Sequence, residues 1–573
     1  MTVTNDRPAA LAPAEPWSRC LTCGALVYRK KLARNLNVCP ECGRHHRLTA
    51  PERIAQLVDE GTFAPLGGRA LAGDVLGFTD ARPYAERLAE ARRRTGLDDA
   101  VVCGAALIGG MPVCLAVMDF RFMGGSLGTA VGELITRAAE RALADRCPLL
   151  IVTASGGARM QEGALSLMQM AKVSQALGAL GEAGLLSVSL VTDPTYGGVA
   201  ASFATNCDIV LVEQGARMGF AGPRVIEQTI RQKLPADFQT ADFLLARGQV
   251  DAVRHRRDLR EWLRRLFLAT RAVAAAPAPA QPDPVVAEPH RLDTVDPWQA
   301  VTAARDTARP TLLDYLRETF DGFVELRGDR LSADCPAVVA GFAMLDCRPV
   351  AVVGHQKGHH TRELVSRNFG MPRPEGYRKA LRVMKLAARL GLPIVTVVDT
   401  PGAYPGREAE ENGQSAAIAG NILAMFGLAT PVITVITGEG GSGGALALAV
   451  ADQVLIAERG TYSVISPEGC SAILWGDAAC APDAARALRI TARELLELGI
   501  VDGVLPEPPG GAAADPTAMA SGLRVALGHA LARLDRTEPD GLLARRRRRF
   551  RAFGADGSTD LAPAPTADKG WWE

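Results

Sequence analysis

Two stretches of the chain decide the fold: CPLLIVTASGG over Cys147–Gly157 and LPIVTVVDTPG over Leu392–Gly402. Each is an apolar run that ends in a glycine-containing turn, a pattern typical of a buried strand followed by a tight turn. A second pair has the same pattern, VSLVTDPTYGG over Val188–Gly198 and VITVITGEGGSGG over Val432–Gly444. Small residues that predict a helix follow each of these. The chain therefore belongs to the α/β class.

The turn glycines recur at a fixed distance. Gly156 and Gly197 are 41 residues apart, as are Gly402 and Gly443, so the two pairs are offset by 246 residues. Self-similarity at a fixed offset indicates a duplicated structural unit. We therefore predict two related α/β domains in one chain.

A Gly–Gly pair at the start of a helix has a chemical use. The first N–H groups of a helix have no partner within it, and the helix dipole makes this end positive. Without a Cβ, an oxygen atom can approach these groups closely. They therefore suit a developing oxyanion such as an enolate. The alternative, that these glycines only permit turns, is weakened by their recurrence at matched spacing.

Two other known motifs also fit the glycine-rich segment 438–444. Gly438, Gly440 and Gly443 form GxGxxG, the pattern of a dinucleotide-binding turn. Residues 440–444 also form GxSxG, the pattern of a hydrolase nucleophile, for which His529 is the downstream histidine. The equivalent segment in the first half of the chain has the final Gly–Gly pair but none of the other residues of either motif. The repeat therefore favours the paired glycines over both alternatives.

Four cysteines near the start of the chain predict a metal site. Cys20 and Cys23 form one CxxC pair, Cys39 and Cys42 another, and fifteen residues separate the pairs. This spacing is typical of a zinc ribbon with four thiolate ligands. We therefore predict one structural Zn²⁺ per chain. The alternative is two redox-active CxxC pairs.

Composition limits the function classes. The chain has 573 residues, 22% of them charged, and a formal net charge of +1, which disfavours a dedicated nucleic-acid coat. No signal peptide is evident at the start, and the longest uncharged stretch, 412–438, contains polar residues and a central proline. We expect a soluble, cytoplasmic protein with no membrane segment.

Changes in composition suggest the domain boundaries. We predict a disordered N-terminus (1–16), a zinc ribbon (17–46), a first α/β domain (47–272), a Pro/Ala linker (273–290), a second α/β domain (291–540) and a basic, low-complexity tail (541–573). The Arg545–Arg549 run is expected to be a solvated part of that tail.

Longer motifs resemble one enzyme family. TASGGARMQEG (Thr153–Gly163) and GFAGPRVIEQT (Gly219–Thr229) resemble the β subunit of bacterial acetyl-CoA carboxylase carboxyltransferase. RNFGMPRPEGYRKA (Arg367–Ala380), DTPGAYPG (Asp399–Gly406) and SPEGCSAILW (Ser466–Trp475) resemble its α subunit. The chain is thus similar to the two subunits fused head to tail. The resemblance implies two crotonase-like spiral domains behind the zinc ribbon.

The resemblance also implies the reaction. A carboxyl group passes from carboxybiotin to acetyl-CoA and gives malonyl-CoA for fatty acid biosynthesis. Two enolates need stabilisation, and by motif match Gly197 and Gly198 serve the thioester, whereas Gly443 and Gly444 serve biotin. The expected substrate-binding residues are the preceding turns: Gly156, Gly157, Gly402 and Ala403.

Partners follow from the same resemblance. We expect a biotin carboxyl carrier protein that supplies biotin, an ATP-using biotin carboxylase, and a homodimer of the fused chain. A preference for propionyl-CoA and a nucleic-acid-binding role of the ribbon stay open as alternatives. The pair His359–His360 is expected to be polar loop residues. The basic segment Arg367–Lys379 is a candidate for coenzyme A phosphates or for an interface loop.

Overall fold

The N-terminal cysteines lie on a small β-ribbon. A computed structural model describes residues 16–68, 70–273 and 278–554. The ribbon consists of antiparallel strands β1 (Trp17–Arg19) and β2 (Leu26–Tyr28) and helix α1 (Arg29–Arg34). Val27 and Leu32 pack against Cys20 and Cys39 in a core of their own. The ribbon therefore has little apolar core to stabilise it without a metal.

The first domain is built around an eight-stranded sheet. Its strand order is β10-β8-β7-β6-β5-β4-β3, with β9 beside β7, and the strands from β5 to β8 and β10 are parallel. Its elements are α2 (Ala50–Leu57), β3 (Ala64–Pro65), α3 (Tyr84–Thr95), β4 (Val101–Ile108), β5 (Met111–Met118), α4 (Thr129–Asp145), β6 (Leu149–Ser155), α5 (Gly163–Glu182), β7 (Ser187–Tyr196), α6 (Gly197–Ala200), α7 (Phe203–Asn206), β8 (Ile209–Glu213), β9 (Met218–Gly219), α8 (Pro223–Ile230), α9 (Ala241–Ala246), β10 (Ala252–Arg254) and α10 (Leu259–Ala269).

The second domain repeats this plan. Its strand order is β11-β12-β13-β14-β15-β16-β18, with β17 beside β15. Its elements are α11 (Pro297–Ala304), α12 (Leu312–Glu318), β11 (Asp321–Glu325), β12 (Val338–Leu345), β13 (Arg348–His355), α13 (Thr361–Ser366), α14 (Pro374–Arg389), β14 (Ile394–Thr400), α15 (Arg407–Glu411), α16 (Gln414–Met425), β15 (Val432–Gly441), α17 (Ser442–Leu446), β16 (Gln453–Ala457), β17 (Thr461–Ser463), α18 (Pro467–Leu474), α19 (Ala481–Leu488), α20 (Ala492–Glu497), β18 (Gly503–Leu505), α21 (Pro516–Leu534) and α22 (Pro539–Ala552).

The register of the central strands relates the two domains residue by residue. The pairing of β6 with β7 has a register shift between Thr153 and Ser155, and the pairing of β14 with β15 has one between Val398 and Thr400. These shifts are offset by 245 residues, not by the 246 that the glycine spacing gave. The strand register therefore shifts the sequence-based correspondence by one residue.

The two domains share one hydrophobic core. Trp262 and Leu266 of α10 belong to the same buried cluster as Val338 and Phe342 of β12. Ion pairs also join the domains, among them Asp251, a buried carboxylate that binds Arg330 and Arg382. The halves are therefore packed together within one chain.

The C-terminal region differs from the expected solvated tail. Residues 541–552 lie in α22, and the Arg546 side chain is fully buried. Its guanidinium donates to Asp452 at 3.0 and 2.6 Å, to the Met425 carbonyl at 2.5 Å and to the Thr430 carbonyl at 2.9 Å. These acceptors satisfy the buried charge, so the helix is held on the domain. Residues 555–573 lie outside the described residues, as do 1–15 and 274–277.

Candidate functional site

In the first domain, two turns meet at the carboxyl ends of neighbouring strands. The turn after β6 contains Gly157, whose N–H donates to Ser155 Oγ at 3.0 Å. The turn after β7 contains Gly197, at φ +59°, whose N–H donates to the Phe220 carbonyl at 2.9 Å. A Cβ on Gly197 would lie 3.1 Å from the Gly157 Cα. The two turns are therefore in backbone contact, and glycine permits it.

The turns leave two amide groups without an acceptor. Within the described parts of the chain, the N–H groups of Ala158 and Gly198 make no hydrogen bond. A Cβ on Gly198 would lie 3.6 Å from the Ala158 Cβ, so the two residues are neighbours. A pair of free amides from adjacent turns can donate two hydrogen bonds to one oxygen. We call this pair the first-domain site.

The second domain has the equivalent arrangement. The Gly402 N–H donates to Thr400 Oγ1 at 3.1 Å, as Gly157 does to Ser155. Ser442 takes the left-handed conformation, at φ +58°, that Gly197 takes in the first domain. The N–H groups of Ala403 and Gly443 likewise have no acceptor among the residues that the structure describes. We call this pair the second-domain site.

Buried ion pairs lie beneath the second-domain site. Lys357 Nζ is 2.7 Å from Asp399 and 2.8 Å from Glu439, the residues at the ends of β14 and β15. Burial alone would lower the pKa of Lys357, but the two carboxylates raise it. Burial would raise the pKa of Glu439, but Lys357 and Arg305 lower it. The ammonium group therefore connects the strands that carry the two turns.

A different charge cluster supports the first-domain site. Arg159 follows the turn directly and donates to Asp99 at 2.6 Å and to Glu162 at 3.1 Å. Burial alone would lower the pKa of Arg159, whereas Asp99 raises it above its usual range. Tyr84 donates to Glu162 at 2.5 Å. These contacts fix the chain that leaves the Gly156–Ala158 turn.

The hydrolase interpretation of Ser442 finds no support. His529 lies on α21, and its Nε2 is 2.7 Å from the Gln281 carbonyl oxygen. No histidine of the described residues is a hydrogen-bond partner of Ser442. The GxSxG match therefore has no base beside its serine.

The four predicted zinc ligands converge at one point. The Sγ atoms of Cys20 and Cys42 are 3.6 Å apart, and those of Cys23 and Cys39 are 3.9 Å apart. All four Sγ atoms lie within 4.8 Å of one another. Zn–S bonds of about 2.3 Å in a tetrahedron require S–S distances of about 3.8 Å. The donor set fits a closed structural zinc site.

Comparison with known proteins gives the family. The chain is 61% identical over 547 residues to acetyl-coenzyme A carboxylase carboxyl transferase subunits beta/alpha of Salinispora tropica, covering 94% of this chain and 97% of that protein. This chain belongs to that carboxyltransferase family. The family model for acetyl co-enzyme A carboxylase carboxyltransferase-like proteins matches residues 287–554, and that for the acetyl-CoA carboxylase zinc finger domain matches residues 17–42. The predicted family and enzyme class are confirmed.

More distant members agree with the fused organisation. The Clostridium tetani subunits beta/alpha protein is 43% identical over 552 residues, covering 96% of this chain. The Thermus thermophilus subunit alpha is 56% identical over 263 residues, which is 46% of this chain and 83% of that protein. Transcarboxylase 12S has the same fold, at a TM-score of 0.65 and 24% identity over 83% of this chain and 89% of that chain. The predicted fold class is confirmed.

The structure brings the predicted glycines of this carboxyltransferase together within each domain and adds one residue. Ala158 was missed, because the 246-residue offset placed Gly157 opposite Ala403. By strand register the partner of Ala403 is Ala158, and that of Gly443 is Gly198. Gly444 corresponds to Val199. The sequence signals for this register are the matches of Ser155 to Thr400, Gly157 to Gly402 and Ala158 to Ala403.

The other polar candidates have structural partners. His359 lies between the Thr307 carbonyl and Asp314, at 2.8 Å from each, and His360 caps α13. In the segment Arg367–Lys379, Arg378 pairs with Asp329 at 2.8 Å, and the buried Lys379 pairs with Asp334 at 2.6 Å. These two charges are neutralised by carboxylates, whereas Arg367 donates to the Pro336 carbonyl at 2.8 Å and Arg373 is 3.5 Å from Glu408. No helix in the described ranges is both long and apolar enough to cross a bilayer.

Proposed function

We propose that the chain transfers a carboxyl group from carboxybiotin to acetyl-CoA, with one enolate stabilised at each of the two sites. The observation that carries this proposal is the duplication of a free amide pair, Ala158 with Gly198 and Ala403 with Gly443, at matching strand positions. A reaction with two successive oxyanions needs two such pairs. We assign the thioester oxygen to the first-domain site and the biotin ureido oxygen to the second-domain site.

The proposed sequence of steps balances without a side-chain base. The N–CO₂ bond of carboxybiotin breaks, and the electron pair stays on the ureido group, whose oxygen accepts from Ala403 and Gly443. This anion removes a proton from the acetyl methyl group. The resulting thioester enolate, held by Ala158 and Gly198, then attacks CO₂ and gives malonyl-CoA. Fixed donors at a charge that develops only during reaction accelerate the reaction by a large factor.

The proposal includes the partners of the reaction. Biotin arrives on a carrier protein, and a separate ATP-using biotin carboxylase recharges it. Zinc holds the ribbon and takes no part in the chemistry, because four thiolates leave no open position for water. None of the twelve cysteines forms a disulfide, which agrees with a cytoplasmic location.

A homodimer is also part of the proposal. Large apolar side chains are exposed in both domains: Met160, Leu167, Phe220, Val225, Val464, Ile473, Leu474 and Trp475. Contiguous exposed apolar surface marks an interaction site. A second copy of the chain is the occupant that we propose. Light scattering of the zinc-loaded protein tests this, and a fully active monomer would contradict it.

The activity has a direct test in the reverse direction. The chain should carboxylate free biocytin with malonyl-CoA as donor and release acetyl-CoA. Methylmalonyl-CoA and ethylmalonyl-CoA, run in parallel, measure whether propionyl or butyryl groups are accepted. Absence of transfer from all three donors would overturn the proposal, and a preference for methylmalonyl-CoA would reassign the substrate to propionyl-CoA.

A further inference from the structure

A cavity of about 550 Å³ lies between the zinc ribbon and the first domain. The ribbon side is formed by Cys42, Gly43 and the three residues that follow. The opposite wall is formed by the carboxyl ends of four neighbouring parallel strands, β5 to β8, through Met118, Val152, Ala154, Thr192, Asp193 and Glu213. We call it the ribbon cavity. Ligands of open α/β sheets bind at this end of the strands.

The ribbon cavity lies at the same sheet edge as the first-domain site. Ala154 is three residues before the Gly157 turn, and Asp193 is four residues before Gly197, on the two strands that carry the turns. The cavity therefore opens on the side of the sheet where the proposed thioester site lies.

Positive charge exceeds negative charge in this cavity. Five arginines line it, against two carboxylates, Asp193 and Glu213. Glu213 is buried and binds two of the arginines, Arg53 at 2.5 Å and Arg256. The remaining arginines are therefore not fully compensated, and they face the cavity with little opposing charge.

The three uncompensated arginines have neutral or distant partners. Arg44 donates to Thr22 Oγ1 at 2.6 Å, and Arg217 donates to the Ala236 carbonyl at 3.1 Å. Arg47 stacks on Phe120 at 4.0 Å and is 3.6 Å from Asp193, a long contact between exposed groups. His46 adds a buried Nε2 that has no hydrogen-bond partner in the part of the chain that the structure describes. Arginines in this state are typical of phosphate-binding sites.

Most arginines of a second cavity, unlike these, have close carboxylate partners. It lies against Gly156 and Gly157 and is lined by four arginines, Arg82, Arg87, Arg94 and Arg159. Arg82 pairs with Glu90 at 2.5 Å, Arg87 pairs with Asp80, and Arg94 donates to the Arg121 carbonyl at 2.7 Å. Arg159 pairs with Asp99 and Glu162. Carboxylates already satisfy three of these four arginines, so the ribbon cavity is the better anion site.

We infer that the ribbon cavity binds the phosphate groups of the acyl-CoA substrate, with Arg44, Arg47 and Arg217 as ligands. This inference rests on the proposed function for the identity of the phosphate compound. It also gives the ribbon a role, because Arg44 and His46 are held at the cavity by the fold of the ribbon around its metal. The zinc-loaded ribbon is then one wall of the substrate site.

The experiment compares two probes that differ in phosphate. Coenzyme A carries the phosphates and pantetheine lacks them, and calorimetry on the zinc-loaded full chain gives the affinity for each. A hydrogen bond to a charged group contributes a factor of about 10 or more in affinity. We therefore expect Arg47→Gln and Arg217→Gln each to lower the preference for coenzyme A over pantetheine about 10-fold. Arg82→Gln, in the other cavity, is the matched control and should keep the preference.

The outcomes separate this inference from the proposed function. Equal preference in wild type and in both ribbon-cavity variants would overturn the inference, whether or not the chain carboxylates biocytin. A loss confined to Arg82→Gln would move the phosphates to the other cavity and would also overturn it. If Arg47→Gln and Arg217→Gln abolish binding of a single-stranded RNA but keep coenzyme A affinity, the cavity serves nucleic acid and the inference fails.

Discussion

A side chain at Gly444 would overlap the backbone nitrogen of Ala403, whereas one at Gly443 would meet only the Ile418 side chain, at 3.8 Å. The two neighbouring glycines therefore have different roles. Gly444 permits the close approach of the two turns, and Gly443 faces open space beside a free amide. Only a substitution at Gly443 can test the oxyanion role without breaking the turn contact.

We expect Gly443→Val to leave the fold intact and to impair the biotin half-reaction. The valine would crowd the ureido oxygen, and loss of one oxyanion donor typically costs about 10²–10³ in rate. Biotin-dependent decarboxylation of malonyl-CoA measures this half-reaction, and acetyl-CoA affinity should stay unchanged. Gly444→Ala is the control and should instead lower the thermal stability. Loss of acetyl-CoA binding in Gly443→Val, with decarboxylation retained, would show that the two sites are reversed.

A substitution at Gly197 should affect the other half-reaction. Gly197 is left-handed and lies against Gly157, so Gly197→Ala strains the turn and displaces the Gly198 amide. We expect slower exchange of the acetyl-CoA methyl hydrogens with deuterated solvent in the presence of biotin, followed by mass spectrometry. Gly61→Ala, at another left-handed glycine with open space around it, controls for strain alone. Equal loss of exchange in both variants would contradict the assignment.

The duplicated fold and the zinc ribbon were predictable because both are local patterns that recur. Apolar runs ending in glycine turns specify strand ends, and CxxC spacing specifies a thiolate pair. The register between the domains was not predictable from the glycines. The left-handed position is glycine in one domain, Gly197, and serine in the other, Ser442. Offsets of 245 and 246 residues each align glycines of the two domains, so the glycines alone do not decide the register.

The packing of α22 on the second domain was not predicted from the sequence, for a different reason. The Arg545–Arg549 run has the composition of a solvated segment, and its sequence gives no sign of the partner. Arg546 is buried because Asp452 and carbonyls of the α16–β15 connection meet there. These acceptors are 94 or more residues away in sequence, so only the folded structure brings them together.

Zinc loss should unfold the ribbon alone. In Cys39→Ser we expect the metal to be released and residues 17–46 to unfold, because metal binding and ribbon folding share one free energy. The ribbon contributes no residue to the buried clusters of the two domains, so both domains should stay folded. Metal content by atomic emission and proteolysis of the ribbon measure the effect. Cys347→Ser, at an exposed cysteine outside the ribbon, is the control, and full zinc occupancy in Cys39→Ser would contradict the prediction.

The buried His355 should make the second domain less stable in acid. Burial and the nearby Lys357 lower the pKa of His355 to about 3, against an ordinary value of about 6.5. The unfolded chain therefore binds a proton below about pH 6.5 that the folded chain does not, so stability falls as pH drops from about 6.5 toward 3. We expect His355→Phe to show a smaller drop in thermal midpoint between pH 7.5 and 5.5 than wild type, whereas His290→Phe, at an exposed histidine, should match wild type. If the thermal midpoint of His355→Phe drops as much as that of wild type, His355 is not held neutral in the folded protein.

Arg546 should be a principal anchor of the C-terminal helix. Arg546→Leu leaves the fully buried Asp452 carboxylate without its cation, and breaking a buried pair typically costs about 3–5 kcal/mol. Asp452 keeps one hydrogen bond, from the Val432 N–H at 2.9 Å, which does not compensate a buried charge. We therefore expect a lower thermal midpoint and early cleavage of α22 by protease. Arg547→Leu, at the exposed neighbouring position, is the control. It has the same change in net charge, so it shows whether charge loss alone lowers the stability. Equal stability of the two variants would mean that the helix is held by its apolar contacts, chiefly the packing of Phe550 on Phe426 at 5.4 Å between ring centroids.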